Sequence, residues 1–242
     1  MNRIELINGV FERTDFQTYL EIGCEKGLSF FPIKANQKIA VDPYPKIYIW
    51  NKLMAMVREP KNMKNKYFAE ESDVFFRDRL DFIKSIGKLD AVLVDGLHTY
   101  RAALSDVLNS LKHLNRNGII VMHDCLPPHA AAALPSKSFP TAEEVRNVEG
   151  WTGEWCGDVW KAIPYLRKRY SGKLEVCVLN CDFGLGIVRP TAELLAEELA
   201  IDETLFAEID KLEYRDMVKN PKDFINMMNE DYAQTILGSF SK

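Results

Sequence analysis

Tyr19-Leu20-Glu21-Ile22-Gly23-Cys24-Glu25-Lys26-Gly27 joins a short apolar run to a glycine-bearing turn, and a second run, Ile39-Ala40-Val41, ends at Asp42 and the breaker Pro43. Apolar runs that end in glycine or acid and alternate with amphipathic stretches are the pattern of βαβ units on a parallel sheet. The turn at Gly23–Gly27 is expected to lead into a helical segment. Working outward, Tyr67-Phe68-Ala69 precedes Glu71-Ser72-Asp73, Ala91-Val92-Leu93-Val94 ends at Asp95-Gly96, and Ile119-Ile120-Val121-Met122 ends at His123-Asp124. Leu174 to Leu179 and Gly184 to Val188 make a final pair. Leu104, Val107, Leu108, Leu111 and Leu114 recur at helical spacing, which predicts a helix over Arg101 to Arg116, stopped by a left-handed Asn117-Gly118.

The remainder is less regular. Residues 126–157 read as an irregular excursion punctuated by Pro127-Pro128, Pro135, Pro140 and Gly150, and a loop of that length is usually functional or mobile. Asp158 to Tyr170 reads as helix, with Pro164 an awkward guest. From Thr191 the chain is helical and polar, interrupted at Asn220-Pro221. The expected organisation is one domain over residues 1–190, with 191–242 a helical extension packed on it.

At 242 residues the chain can bury a full core, and its 47% hydrophobic and 27% charged content is ordinary for a globular protein. Thirty-one basic residues stand against 35 acidic, a net charge of −4. With no long basic stretch, this argues against nucleic acid or an anionic membrane surface as the main partner. No run approaches the eighteen or so apolar residues needed to span a bilayer. Five cysteines form no Cys-x-x-Cys pair, so neither a zinc ribbon nor a disulfide framework is suggested, and a reducing cytoplasm is the simplest location. A small-molecule acceptor remains open, as does a homo-oligomer.

In an open parallel sheet, ligands bind at the carboxyl ends of the strands. Glycine at such an end lets backbone approach a ligand closely, and an acid about twenty residues on can hold both hydroxyls of a ribose. Gly23, Gly27 and Asp42 therefore favour an adenosine-type ligand over a bare strand-to-helix turn with a capping Asp. They do not separate one adenosyl cofactor from another.

The family resemblance does. Tyr19 to Phe30 resembles the first motif of class I S-adenosylmethionine-dependent methyltransferases, and Ile39-Ala40-Val41-Asp42-Pro43 resembles their ribose-binding acid. Val94-Asp95-Gly96-Leu97-His98-Thr99-Tyr100 and Asn117 to Asp124 resemble a branch of small-molecule and sugar O-methyltransferases. The resemblance covers roughly residues 18–190. It implies a doubly wound, mostly parallel, seven-stranded Rossmann-like α/β sheet with an antiparallel last strand. Carried onto matching positions, Glu21, Gly23 and Gly27 would line the methionine part of S-adenosylmethionine, and Asp42 would take the ribose. Ser72 and Asp73 would lie beside the adenine, with Asp95 facing the methionine amino group or the reaction centre. One departure is Glu25, where many methyltransferases have a second loop glycine.

Methyl transfer is an in-line displacement, so the protein must mainly align nucleophile and methyl group. A hydroxyl acceptor also needs its proton removed, or its charge stabilised by a divalent metal. His98 and His123 are the candidate bases, with Asp95 beside them, and the sequence does not choose between them. Asp95, His123 and Asp124 are candidate metal ligands for magnesium or manganese, although histidine suits a transition metal better than magnesium. Trp155 and Trp160 with Glu154 and Asp158 suit a sugar or polyol, or else form a helix start with Asp158 as N-cap and Trp160 in the core. Asp182 reads as a hairpin residue and Tyr100 as packing. Two rivals stand beside methyl transfer: a nicotinamide-dependent oxidoreductase, which would want a Gly-x-Gly-x-x-Gly turn absent here, and a non-catalytic protein that kept the cofactor fold.

Overall fold

The computed structural model describes residues 1–240. β1 (Thr18–Ile22), β2 (Gln37–Val41), β3 (Lys66–Phe68), β4 (Leu89–Val94) and β5 (Leu114–Met122) are parallel. β7 (Leu185–Pro190) runs antiparallel to both β5 and β6 (Leu174–Leu179). With β8 (Met227–Met228) at one edge, the spatial order is β3-β2-β1-β4-β5-β7-β6-β8, so the winding direction reverses between β1 and β4, the place where such sheets bind ligands. The expected α/β class and antiparallel late strand hold. Among the described residues the sheet has eight strands where seven were expected, because β8, from the segment expected to be a helical extension, adds in parallel to β6.

Both faces of the sheet are covered, which is why its central strands read as unbroken apolar runs. On β4, Val92 and Val94 face one core while Ala91 and Leu93 face the other. The first core takes α3 (Ser72–Asp78), α4 (Leu80–Ser85), α5 (Tyr100–His113) and α7 (Ala162–Arg169), together with the later α8 (Glu203–Asp210), α9 (Tyr214–Lys219) and α10 (Pro221–Ile225). The second takes α1 (Arg3–Arg13) and α11 (Tyr232–Gly238), which pack so closely that a Cβ on Gly9 would stand 2.9 Å from Leu237 Cδ2. α2 (Ile49–Arg58) lies between β2 and β3, and α6 (Ala142–Val145) lies within the 126–157 excursion. Pro164 falls in the first turn of α7, where its missing N–H costs little.

Two local expectations are corrected. The helix after β4 ends at His113, three residues short of Arg116, and Gly118 lies inside β5 rather than in a left-handed stop. Glycine is needed there for space: a Cβ would come within 2.8 Å of Leu114 Cγ and 2.9 Å of the Asp90 carbonyl oxygen, beside the register shift of β4 against β5. The crossover from β1 to β2 is made of turns, with no helix over residues 24–36. Carbonyls that a helix would have bonded are met instead by the buried Lys38 ammonium, which donates to Phe30, Phe31 and Ile33 at 2.9–3.2 Å.

Candidate functional site

Each central strand carries its ladder one residue beyond its end. Gly23 N–H donates to the Val41 carbonyl, Asp42 to Phe68, Asp95 to Ile22 and His123 to Val94, all at 2.9–3.1 Å. Four residues singled out in the sequence are thereby set in register along one rim, and each lines a cleft of about 1060 Å³. Gly23 has φ +86°, and a Cβ on it would stand 1.9 Å from the Asp95 carbonyl oxygen. Only glycine lets the ends of β1 and β4 approach this closely.

One half of the cleft is built of backbone and acid. Asp42 accepts from Glu25 N–H at 2.8 Å on one oxygen and from Tyr44 N–H at 2.7 Å on the other, tying two loops to one carboxylate and leaving each oxygen a further lone pair. Glu25, at φ +38°, holds the strained conformation that a glycine would adopt freely. Ser72 and Asp73, at the start of α3, line the far wall. Beside them is Asp106, a buried carboxyl that sequence reasoning missed because it lies within the apolar stripe of α5. Burial pushes its pKa up to about 7 against a hydrogen bond from Ser72, and its Oδ1 has no partner.

Glu21 and Gly27 are not part of the wall, contrary to expectation. Strand alternation turns Glu21 to the opposite face from Ile22, where it is fully enclosed and accepts from Tyr19 Oη at 2.5 Å and Ser29 Oγ at 2.6 Å. Burial lifts its pKa to about 7 in spite of those bonds. Gly27, at φ +77°, packs against the Phe31 ring.

The other half is a cluster of charge. His98 Nδ1 is 2.8 Å from the Trp155 carbonyl, an acceptor only, so Nδ1 carries a proton and Nε2 faces Asp124 at 3.3 Å and Asp95 at 3.7 Å. Burial opposes a charge on His98, but the hydrogen bond to Asp95 and the charge of Asp124 outweigh it and raise its pKa. Burial likewise opposes charge on Asp95, yet His123, His98 and Arg3 hold it well below the ordinary carboxylate range. His123 Nδ1 lies 3.0 Å from Asp124 and 3.4 Å from Asp95, and Nε2 lies 3.5 Å from Asp182. Burial disfavours a charge on this ring too, and the three carboxylates favour it. Arg3 Nη1 also stands 2.6 Å from His123 Nε2, so a guanidinium shares this side of the ring with Asp182.

Both nitrogens of His123 are thus engaged, Nδ1 by Asp124 and Asp95 and Nε2 by Arg3 and Asp182. The group able to enclose an ion is Asp95, His98 and Asp124, which offer one ligand atom each within 4.8 Å of one another. This group has His98 where the sequence suggested His123.

Sequence reasoning missed Arg3 and undervalued Asp182. Arg3, on α1, bonds Asp182 at 3.1 Å and His123, and its Nε is 3.7 Å from Asp95. Asp182 is the hairpin residue expected between β6 and β7, at φ +48°, and it also anchors this network, its pKa held at about 2 against burial by His123 and Arg3. No local motif marks Arg3, which meets its partners across more than ninety residues of chain.

The excursion over 126–157 walls the cleft opposite the strand ends with Lys137, Ser138, Phe139, Glu154 and Trp155. Trp155 stacks on His98 at 5.1 Å, meets Phe139 edge-on at 5.8 Å, and donates Nε1–H to the Leu134 carbonyl. The two readings of 153–161 therefore divide: Trp155 and Glu154 line the cleft, while Trp160 is core. Asp158 caps α5 rather than its own helix, accepting from Tyr100 N–H at 2.7 Å. Gly157, at φ +61°, lets this segment close on the His98 backbone, whose carbonyl oxygen would be 1.9 Å from a Cβ.

Residues 20–125 match the family model of a methyltransferase domain, a segment that contains Gly23, Asp42, Asp95, His98, His123 and Asp124. The fold is shared with the solved structure of a "putative caffeoyl-CoA O-methyltransferase" from Staphylococcus aureus at TM-score 0.54 and 13% identity, covering 77% of this chain and 82% of that one. Cofactor-bound Rv0187 from MTB is similar at TM-score 0.50 and 11% identity, over 80% and 82% of the two chains. No curated protein sequence matches the chain. The match to a methyltransferase domain over residues 20–125 agrees with the expected resemblance to class I S-adenosylmethionine-dependent methyltransferases, and the solved structures bear out the fold. No helix among the described residues is long and apolar enough to cross a membrane.

Proposed function

We propose that the chain transfers the methyl group of S-adenosylmethionine to a hydroxyl of a small polar acceptor, glycan-related or natural-product-like. The observation that carries this is the continuity of one cleft. Gly23, Asp42, Ser72, Asp73 and Asp106 wall one half, Asp95, His98 and Asp124 the other, with no partition between them.

Asp42 would accept from the ribose hydroxyls through its remaining lone pairs, while Glu25 and Tyr44 amides hold it in place. The free Oδ1 of Asp106 lies on the adenine side, where an exocyclic amine is a fitting donor. Asp95 presents negative charge to the cationic part of the cofactor. An acceptor hydroxyl placed between His98 and the cofactor would give its proton to His98 Nε2 as oxygen attacks the methyl group, and Asp124 and Asp95 stabilise the imidazolium formed. Trp155 and Phe139 offer ring faces and Glu154 an acceptor, which suits a ring bearing hydroxyls.

Asp95, His98 and Asp124 also fit a divalent ion: two carboxylates and an imidazole whose other nitrogen donates to a carbonyl, the usual support of a metal-bound histidine. Such an ion would lower the pKa of the acceptor hydroxyl. The mixed oxygen and nitrogen donors suit manganese or zinc better than magnesium. Base and ligand are exclusive roles for His98 Nε2.

Thermal melting with S-adenosylhomocysteine, NAD and NADP tests the cofactor, since a ligand bound to the native state raises the melting temperature. Stabilisation by S-adenosylhomocysteine alone is expected. Stabilisation by a nicotinamide dinucleotide instead would transfer the cleft to the oxidoreductase reading. If cofactor binds but no hydroxylated acceptor from a sugar and natural-product panel gains a labelled methyl group, the acceptor class is wrong.

A further inference from the structure

An amphipathic helix normally turns its apolar stripe toward the core. α2 does the reverse. Ile49, Trp50, Leu53, Met54 and Val57 fall on one side of the helix at 100° per residue, and all five are exposed, Trp50 at 73% and Val57 at 79%. Ala55, on the opposite side, is the buried position. Tyr44, Tyr48 and Met63 extend the patch, so that eight of the fifteen exposed large hydrophobics among the described residues lie between 44 and 63. That concentration exceeds the scattered surface hydrophobics of an ordinary soluble protein.

Charge is concentrated in the same place. Residues 44–66 hold six basic side chains, Lys46, Lys52, Arg58, Lys61, Lys64 and Lys66, against the single acid Glu59, leaving 25 basic and 34 acidic residues elsewhere. Averaged over the chain, charge argued against a membrane surface, and the averaging hid this segment.

We infer that α2 and its basic flanks dock on an anionic lipid surface, the apolar stripe entering the headgroup boundary and the lysines meeting lipid phosphates. Outward Trp, Ile, Leu, Met and Val with lysine at the margins is the composition of a helix that lies in such an interface. A second copy of the chain fits less well, because a two-fold contact sets each patch against itself and would oppose two strongly basic segments. Side chains as free as Trp50 and Val57 project and do not line a groove for a partner helix. Tyr44 and Lys46 also wall the cofactor cleft, so docking would set its mouth beside the lipid.

Vesicle flotation of the full chain tests this. With phosphatidylcholine vesicles containing about 30% phosphatidylglycerol, the protein is expected to float, and with phosphatidylcholine alone to stay behind. Raising salt from about 0.1 M to about 0.5 M should weaken flotation at least about tenfold. Trp50→Glu/Val57→Glu and Lys61→Glu/Lys64→Glu should each abolish it while keeping the wild-type melting shift with S-adenosylhomocysteine. Failure to float on anionic vesicles, equal flotation on neutral ones, or variants that float like the wild type would overturn the inference. So would a dimer in sedimentation equilibrium that Trp50→Glu/Val57→Glu dissolves without any vesicle binding, which would assign the face to a second copy.

Discussion

Asp42→Asn is the sharpest test of the cofactor half of the cleft. The carboxylate accepts one backbone N–H on each oxygen, from Glu25 at 2.8 Å and Tyr44 at 2.7 Å. Asparagine has one acceptor oxygen and one donor nitrogen, so either orientation sets its NH₂ against a backbone N–H at hydrogen-bond distance. One loop loses its anchor, and the charge offered to the ribose is lost as well. A hydrogen bond to a charged group contributes about 1.5–3 kcal/mol, so losing one such contact in the bound state weakens S-adenosylhomocysteine by about 10- to 150-fold. Isothermal titration calorimetry reads the affinity, and circular dichroism melting establishes that the variant folds. A folded variant that binds within about threefold of wild type would refute the reasoning, since neither the loop anchor nor the ribose contact could then be at Asp42.

Three further outcomes are expected. His98→Gln should lower kcat by about 10²- to 10⁴-fold, the range of a lost general base, with cofactor affinity nearly unchanged; an equal loss of both would make His98 a binding residue. Because His98 has a raised pKa and the proposed base must be neutral to take a proton, wild-type kcat/KM should rise with pH with a midpoint above the ordinary histidine value of about 6.5, and a flat profile in metal-supplemented buffer would favour the ion over the base. Glu21 has a folded-state pKa raised from 4.5 to about 7. The native state therefore holds the proton more tightly than the unfolded chain, and stability falls as pH climbs through that window. Glu21→Gln should flatten the decline in melting temperature between pH 5 and pH 8, and an unchanged slope would mean that Glu21 is not the titrating group.

The strands were legible because both faces of β1, β4 and β5 are buried, which leaves continuous apolar runs whose ends are marked by glycine or acid. For the same reason Gly23, Asp42 and Asp95 could be placed on one rim. Glu21 was misplaced through neglect of parity: one residue from Ile22, it points through the sheet to the other side. Arg3 and Asp182 reach His123 from remote segments, and a contact across 120 residues leaves no local spacing to read. The eighth strand is two methionines long, too short for any period to register. Asn117-Gly118 after an amphipathic helix spells a left-handed stop, while the duty of Gly118 is to make room for Leu114 and the Asp90 carbonyl. His98 and His123 could not be ranked from sequence, since what separates them is a partner: a carbonyl behind one ring and a guanidinium on the other.

With Lys38 gripping three carbonyls of the β1–β2 crossover from below, the cradle around Gly23 stands ready before any ligand arrives. Encounter then needs no slow ordering of that loop, and stopped-flow association should be a single phase whose rate grows linearly with ligand concentration. Lys38→Met would leave the Phe30 and Phe31 carbonyls only their 3.4 Å contacts with Ile33 N–H and Asn62 Nδ2, remove the ammonium from the Ile33 carbonyl, and set the crossover loose. Binding would then wait on a rearrangement, and the observed rate would level off at high concentration.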